Sequence, residues 1–224
     1  MKRVAIVSVT LVAALAARCS GNTKDLGQSR SSEPTAAASV PADIASQDAT
    51  DFIHHVAIVN VAEIDLGKLA TERGSADGVK KFAQMMITDH TASGEKLKTL
   101  ASDLKLQAPS DLDDKHREQR DTLAKKSGTD FDRDYAKAMV DGHKDLIDQL
   151  EPRVDKKILD QWKDAITAKP TAARKIAAIP PDRSDNPTTM RVNQFAADIY
   201  PTVYAHLEAA KALERSLEKR EAKP

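Results

Sequence analysis

Polar side chains interrupt four apolar helical stripes, and their types are those that hold protons or metal ions. Each stands mid-stripe among hydrophobic residues that recur at spacings of three and four. An isolated carboxylate in such a core costs several kcal/mol, so it shifts its pKa or finds a partner. The nearest partners would be imidazoles from the other helices. We therefore expect one polar layer in a helical core, formed by Glu63, His90, His143 and His206.

Two chemistries suit this layer. One carboxylate and three neutral imidazoles can bind a single transition-metal ion such as Zn, Fe, Mn or Cu. Alternatively, Glu63 hydrogen-bonds a protonated histidine in a metal-free network that fixes helix register. Asp89 adjoins His90 but lies about 100° around the helix, so we expect it at most to support a ligand from outside.

A di-iron site is excluded by spacing. Di-iron bundles carry Glu-x-x-His motifs on two helices. The residues three positions before the histidines are apolar here, namely Ile87, Val140 and Val203. A phosphate loop, a nucleophile elbow and a His-Glu-x-x-His pair are also missing from the sequence. No catalytic or cofactor-binding residue is assigned, and the leading interpretation is a protein without enzymatic activity.

The elements that must position these residues are long amphipathic helices. The apolar period predicts helices over residues 48–73, 75–106, 112–126, 130–150 and 188–218, and no stretch alternates with period two. The fold class is therefore all-α, with the third helix the weakest. Residues 154–187 predict an insertion of loops and short helices, including a short turn within 172–179, that packs Trp162 against the bundle.

One pattern occurs twice. The pattern aromatic-Ala-x-x-Met-aliphatic-x-x-His occurs from Phe82 to His90 and again from Tyr135 to His143. The repeat suggests a bundle of two related helical hairpins.

The amino terminus predicts export. A basic start precedes an apolar run from Val4 to Ala17, which is too short for a membrane anchor but typical of a signal peptide. Cleavage could follow Ala16, or Cys19 could be lipidated and tether the protein to a membrane, although Arg18 stands where a small residue is expected. We expect a signal peptide at 1–19, a flexible linker at 20–47, the bundle at 48–218 and a charged tail at 219–224.

Composition agrees with a helical protein. Among 224 residues, aromatics are only 4%, and 34 basic residues balance 34 acidic ones. This balance gives no electrostatic reason to expect nucleic acid as a partner. The single cysteine excludes an internal disulfide.

The residues at these positions resemble the bacterial domain-of-unknown-function 4142 family. The similarity is carried by the segments Val61–Ala70, Val79–His90, Phe131–Tyr135 with Asp141 and His143, and Tyr200–Ala210. The resemblance implies a ferritin-like four-helix bundle in an exported protein. This sequence departs from the family by its long segment 154–187, so the expected fold is that bundle with extra short helices and an insertion before the last long helix. It implies no activity.

Function is accordingly left among three possibilities. The first is an envelope protein, periplasmic or an outer-membrane lipoprotein, whose bundle binds one transition-metal ion. The second is a metal-dependent oxidoreductase or metal-handling protein that uses the same residues. The third is a metal-free structural or stress-related interaction module. The sequence indicates no particular protein partner.

Overall fold

The protein is helical throughout the part that the structure, a computed structural model, describes. That part comprises residues 42–168 and 178–221, with side chains in 47–168 and 178–220. Its helices are α1 (Ala42–Arg73), α2 (Asp77–Leu104), α3 (Asp114–Ala124), α4 (Gly128–Leu150), a 3-10 turn (Glu151–Arg153), α5 (Lys156–Ala168) and α6 (Pro187–Glu221). Within these ranges the only β-type pairing is an isolated bridge between Val154 and Pro181. The predicted all-α class is confirmed.

Several helix ends differ from the prediction. α1 begins at Ala42, inside the predicted linker, and α6 continues to Glu221, inside the predicted charged tail. α2 ends at Leu104 because Lys105 adopts a left-handed conformation with φ of 58°. The next amide, Leu106 N–H, then donates to the Ala101 carbonyl at 2.8 Å and closes the helix end. The predicted signal peptide, Cys19 and most of the predicted linker lie outside the described residues.

The chain direction identifies the bundle topology. The side chain of Asp132, near the start of α4, accepts hydrogen bonds from the amides of Ser75 and Ala76, between α1 and α2. The start of α4 therefore lies at the end of the bundle where α2 also starts, so α2 and α4 run in the same direction. The connection between them, residues 105–127 with α3, must cross the length of the bundle. One long crossover distinguishes ferritin-like bundles from simple up-down bundles, and the predicted ferritin-like four-helix bundle is confirmed.

The packing pairs α1 with α2 and α4 with α6. The repeated sequence pattern lies on α2 and α4, whose matching residues face each other across the core. Phe82 contacts Tyr135 edge-on at 6.3 Å between ring centroids, and His90 contacts His143 at 5.6 Å. A duplicated hairpin would instead place the copies on equivalent helices, such as α1 and α4. The interpretation of the repeat as two related hairpins is therefore wrong.

The insertion before α6 packs as predicted through its tryptophan. Trp162 of α5 is buried and meets the rings of Tyr200 and Tyr204 on α6 edge-on, at 5.8 and 5.1 Å. Most of the predicted short turn within 172–179 lies outside the described residues, although Ile179 is buried. No helix in the described ranges has a stretch long and apolar enough to cross a membrane.

Candidate metal centre

Three histidines meet in the middle of the bundle core. His90 comes from α2, His143 from α4 and His206 from α6, and each is at most 4% exposed. Their ring centroids form a nearly equilateral triangle with sides of 5.5, 5.5 and 5.6 Å. One ring nitrogen from each residue lies within 4.8 Å of the other two. We call this arrangement the histidine triangle.

A different acceptor holds one nitrogen of each ring. His90 Nδ1–H donates to Asn60 Oδ1 at 2.7 Å, and His143 Nδ1–H donates to the Met139 carbonyl at 2.8 Å. His206 Nε2–H donates to Asp89 Oδ2 at 2.9 Å. A neutral imidazole has one N–H and one lone pair, so a bond that fixes the N–H also fixes which nitrogen can accept.

The other nitrogen of each ring has no hydrogen-bond partner. These atoms are His90 Nε2, His143 Nε2 and His206 Nδ1, all buried. A buried polar atom without a partner typically costs about 1–3 kcal/mol, so three of them in neighbouring rings need an explanation. A cation bound among the three rings would supply the missing partner.

Electrostatics keep two of the rings neutral. Burial lowers the pKa of His143 to about 4, and a neighbouring ring, His206, adds to this effect. Burial also lowers the pKa of His90 well below its ordinary value, assisted by His143 and His206. At neutral pH both rings are therefore in the form that can bind a metal.

Glu63, the fourth predicted ligand, lies outside the triangle. Its Oε1 is 3.4 Å from His143 Nδ1, the nitrogen that already donates to Met139. Its Oε2 has no partner, and burial raises the pKa of Glu63 to about 8. Glu63 thus reaches the side of the His143 ring that faces away from the free nitrogens, as a neutral acid at pH 7.

Gly142 on α4 has no side chain, and this leaves space for the carboxyl group of Glu63 on α1. A Cβ at Gly142 on α4 would lie 2.9 Å from Glu63 Oε1. Any larger residue at this position would displace the carboxyl group, because the distance is shorter than carbon–oxygen contacts allow. The residue before His143 is therefore small for a geometric reason.

Asn60 is the site residue that sequence reasoning missed. It is 5% exposed, lies one turn before Glu63 on α1, and its amide orients His90. Its space comes from Gly94 on α2, where a Cβ would lie 3.1 Å from Asn60 Nδ2. Two features of the sequence could have identified it: Asn60 is a polar residue four positions after the apolar Val56, and Gly94 interrupts an otherwise regular helix. Asp89 was expected at most to support a metal ligand without binding the ion. It accepts a hydrogen bond from His206 and not from His90, which adjoins it in the sequence.

The two sides of the triangle differ in access. A cleft of about 270 Å³ reaches it between α2 and α6, and His90 and His206 form part of its wall. On the Glu63 side there is a cavity of about 40 Å³ beneath α3, lined also by His55 and His116. The α2–α6 cleft is therefore the wider route from solvent to the histidines.

The fold and site together define a ferritin-like helical bundle with a buried three-histidine cluster. The chain belongs to the family described as Domain of unknown function (DUF4142), which matches residues 33–173. The predicted family is thus confirmed. The match contains Glu63, His90 and His143, whereas His206 and the predicted similarity at Tyr200–Ala210 lie beyond it.

Other comparisons add little. A search of curated proteins gives no match. Among solved structures, the chain is similar to a crystal structure of a DUF305 fragment from Deinococcus radiodurans. The two are 11% identical, with a TM-score of 0.49, over 75% of this chain and 96% of that one.

Proposed function

We propose that this protein binds one transition-metal ion through His90 Nε2, His143 Nε2 and His206 Nδ1. The observation that carries the proposal is that these three buried nitrogens lack any partner while the opposite nitrogen of each ring is held. Acceptors behind metal-bound histidines fix the tautomer and strengthen the ligand. Asn60, the Met139 carbonyl and Asp89 are placed to do this.

The donor set narrows the choice of ion. Imidazole suits Zn, Cu, Fe and Ni, whereas Mg and Ca prefer oxygen ligands. Three protein ligands are also one fewer than a closed tetrahedral zinc site has, so a position is left for water or another ligand. The proposal is therefore a mononuclear site with an open coordination position rather than a closed structural one.

A metal-free hydrogen-bonded layer is less well supported. Such a network needs donors directed at the free nitrogens, and the outer acceptors have fixed the N–H groups of all three rings on the other side. Glu63 could donate a proton as a neutral acid, but it lies beside His143 Nδ1. A network of protein groups alone would leave the three nitrogens unsatisfied.

Elemental analysis tests the binding. Untagged protein isolated from its own compartment should contain close to one transition-metal ion per chain. His143→Gln should abolish this occupancy, whereas His116→Gln should not, because His116 lies on α3 and bonds to Asp113. Metal-free native protein that takes up no zinc, copper, iron or nickel after purification would contradict the proposal.

The location proposal is an exported envelope protein, and it rests on residues 1–19. Mass spectrometry of the mature amino terminus tests it. A chain that starts at residue 17 supports simple secretion, and a lipidated Cys19 supports a membrane tether. An intact chain that starts at Met1 and stays in the cytosolic fraction would contradict export.

A further inference from the structure

We infer that the α2–α6 cleft admits a small monoanion that binds the metal ion directly, opposite the three histidines. This inference rests on the proposed function, because the anion needs the ion. Catalytic zinc sites with three protein ligands show the general pattern, in which the fourth position holds water or an incoming ligand.

The open position faces the cleft. His90 and His206 line the cleft together with Asn60, whereas His143 does not. On the far side, the His143 ring separates the triangle from Glu63, which meets Nδ1 and not the free Nε2. The cavity there is also only about 40 Å³. A ligand larger than water therefore has its route through the α2–α6 cleft.

Charge favours an anion. Three neutral imidazoles leave both positive charges of a divalent ion uncompensated by its protein ligands. Asp89 accepts a hydrogen bond from His206 and offsets at most one of these charges, while the exposed Lys96 and Asp198 that line the cleft have opposite signs. Apolar walls at Leu146 and Val203 lower the local dielectric constant and so strengthen attraction between ion and anion.

Size limits the ligand to a few heavy atoms. The cleft holds about 270 Å³, and one water occupies about 30 Å³ in the liquid. Room remains for a compact anion such as azide or hydroperoxide, but the helices on either side exclude a peptide or nucleotide from contact with the ion. Azide is the probe, since it is linear, singly charged and stable.

The experiment uses cobalt(II)-loaded full-length protein, whose visible absorption reports the ligands of the ion. Azide should produce a saturable spectral change in the unaltered protein. Thr202→Trp on α6 and Ser93→Trp on α2 place an indole at either wall of the cleft and should weaken azide binding by about tenfold or more without loss of cobalt. The matched control is Thr99→Trp, at an exposed threonine of α2 outside the cleft.

The outcomes separate the two proposals. Cobalt bound with a spectrum that azide leaves unchanged would overturn the anion site and leave metal binding intact. Equal azide affinity in the unaltered protein and both cleft variants would overturn the cleft as the route. A protein that takes up no cobalt or zinc would overturn the metal site, and the anion site with it.

Discussion

Asn60 and Glu63 lie one turn apart on α1, and each reaches a histidine on a neighbouring helix. The amide of Asn60 accepts the His90 Nδ1–H at 2.7 Å. The Oε1 atom of Glu63 lies 3.4 Å from His143 Nδ1, but the Nδ1–H already donates a hydrogen bond to the Met139 carbonyl. One polar group therefore orients its histidine, and the other is left as a buried acid with an unpaired oxygen.

The difference teaches that the position of a polar residue in a core stripe does not determine its role. The role of the polar residue depends on which ring nitrogen it approaches and on whether the N–H of that nitrogen already donates to another acceptor. A helical histidine can donate Nδ1–H to the carbonyl four residues earlier, as His143 does to Met139. A carboxyl group that approaches from the same side then has no proton to accept.

The largest expected effect is on metal affinity. Asn60→Leu and Glu63→Met each replace a polar side chain by an apolar one of similar size. Asn60→Leu should weaken zinc binding by about 10–100-fold, because His90 loses the acceptor that fixes its tautomer. Glu63→Met should change the affinity little. Competition with a chromogenic chelator measures both zinc affinities. An equal loss of affinity in the two variants would contradict the different roles assigned to Asn60 and Glu63.

The next effect is on the pH dependence of stability without metal. Burial raises the pKa of Glu63 from 4.5 to about 8, so its share of stability is complete below pH 4.5 and is lost as pH rises to 8. The lowered pKa of His143, from 6.5 to about 4, acts in the opposite direction: stability is complete above pH 6.5 and is lost as pH falls to 4. Between pH 4.5 and 6.5 these two contributions cancel, and the lowered pKa of His90 adds a further gain of stability as pH rises. The free energy of unfolding should therefore be highest near pH 6.5.

Above that pH, Glu63 is the group in the described part of the chain whose shifted pKa gives a slope up to pH 8. Between pH 6.5 and 8 the metal-free protein should lose about 2 kcal/mol, from 1.36 kcal/mol per pH unit. Glu63→Gln should abolish this loss, since the amide does not titrate. Urea unfolding in the presence of a chelator measures the profile, and an unchanged alkaline slope in Glu63→Gln would place the titrating group elsewhere.

The smallest expected effects are those of alanine substitutions at Gly142 and Gly94. Gly142→Ala puts a methyl group 2.9 Å from Glu63 Oε1, and Gly94→Ala puts one 3.1 Å from Asn60 Nδ2. Gly142→Ala should destabilise the protein by about 1 kcal/mol, because crowding outweighs the better helix propensity of alanine. Its zinc affinity should stay constant.

Gly94→Ala should show the reverse pattern. Its stability should change little, whereas its zinc affinity should fall a few-fold as Asn60 moves relative to His90. Thermal unfolding without metal and chelator competition measure the two quantities. Loss of affinity in Gly142→Ala alone would contradict the assignment of Asn60 as the orienting residue.

Much of the fold could be predicted from local pattern. The apolar period located the long helices and put His90, His143 and His206 on inward faces, because burial on a helix repeats at three and four. Helix ends were less accurate. Leu104 ends α2 through a left-handed Lys105, a conformation that lysine rarely adopts and that its sequence does not signal.

Contacts between distant segments could not be predicted in this way. The bond from Ser75 to Asp132 that identifies the crossover joins residues 57 positions apart. The stripe pattern also places Glu63 on an inward face but does not say which nitrogen of His143 it meets. Asn60 was missed because only one polar residue was expected on each stripe, although the small Gly94 opposite provides its space.

The most direct test is a crystal structure of the zinc-loaded protein with anomalous scattering measured at the zinc edge. We expect one peak, bound by His90 Nε2, His143 Nε2 and His206 Nδ1, with Glu63 still beside His143 Nδ1 and no carboxylate oxygen on the ion. A zinc ion bound by Glu63, or no anomalous peak among the three histidines, would contradict it.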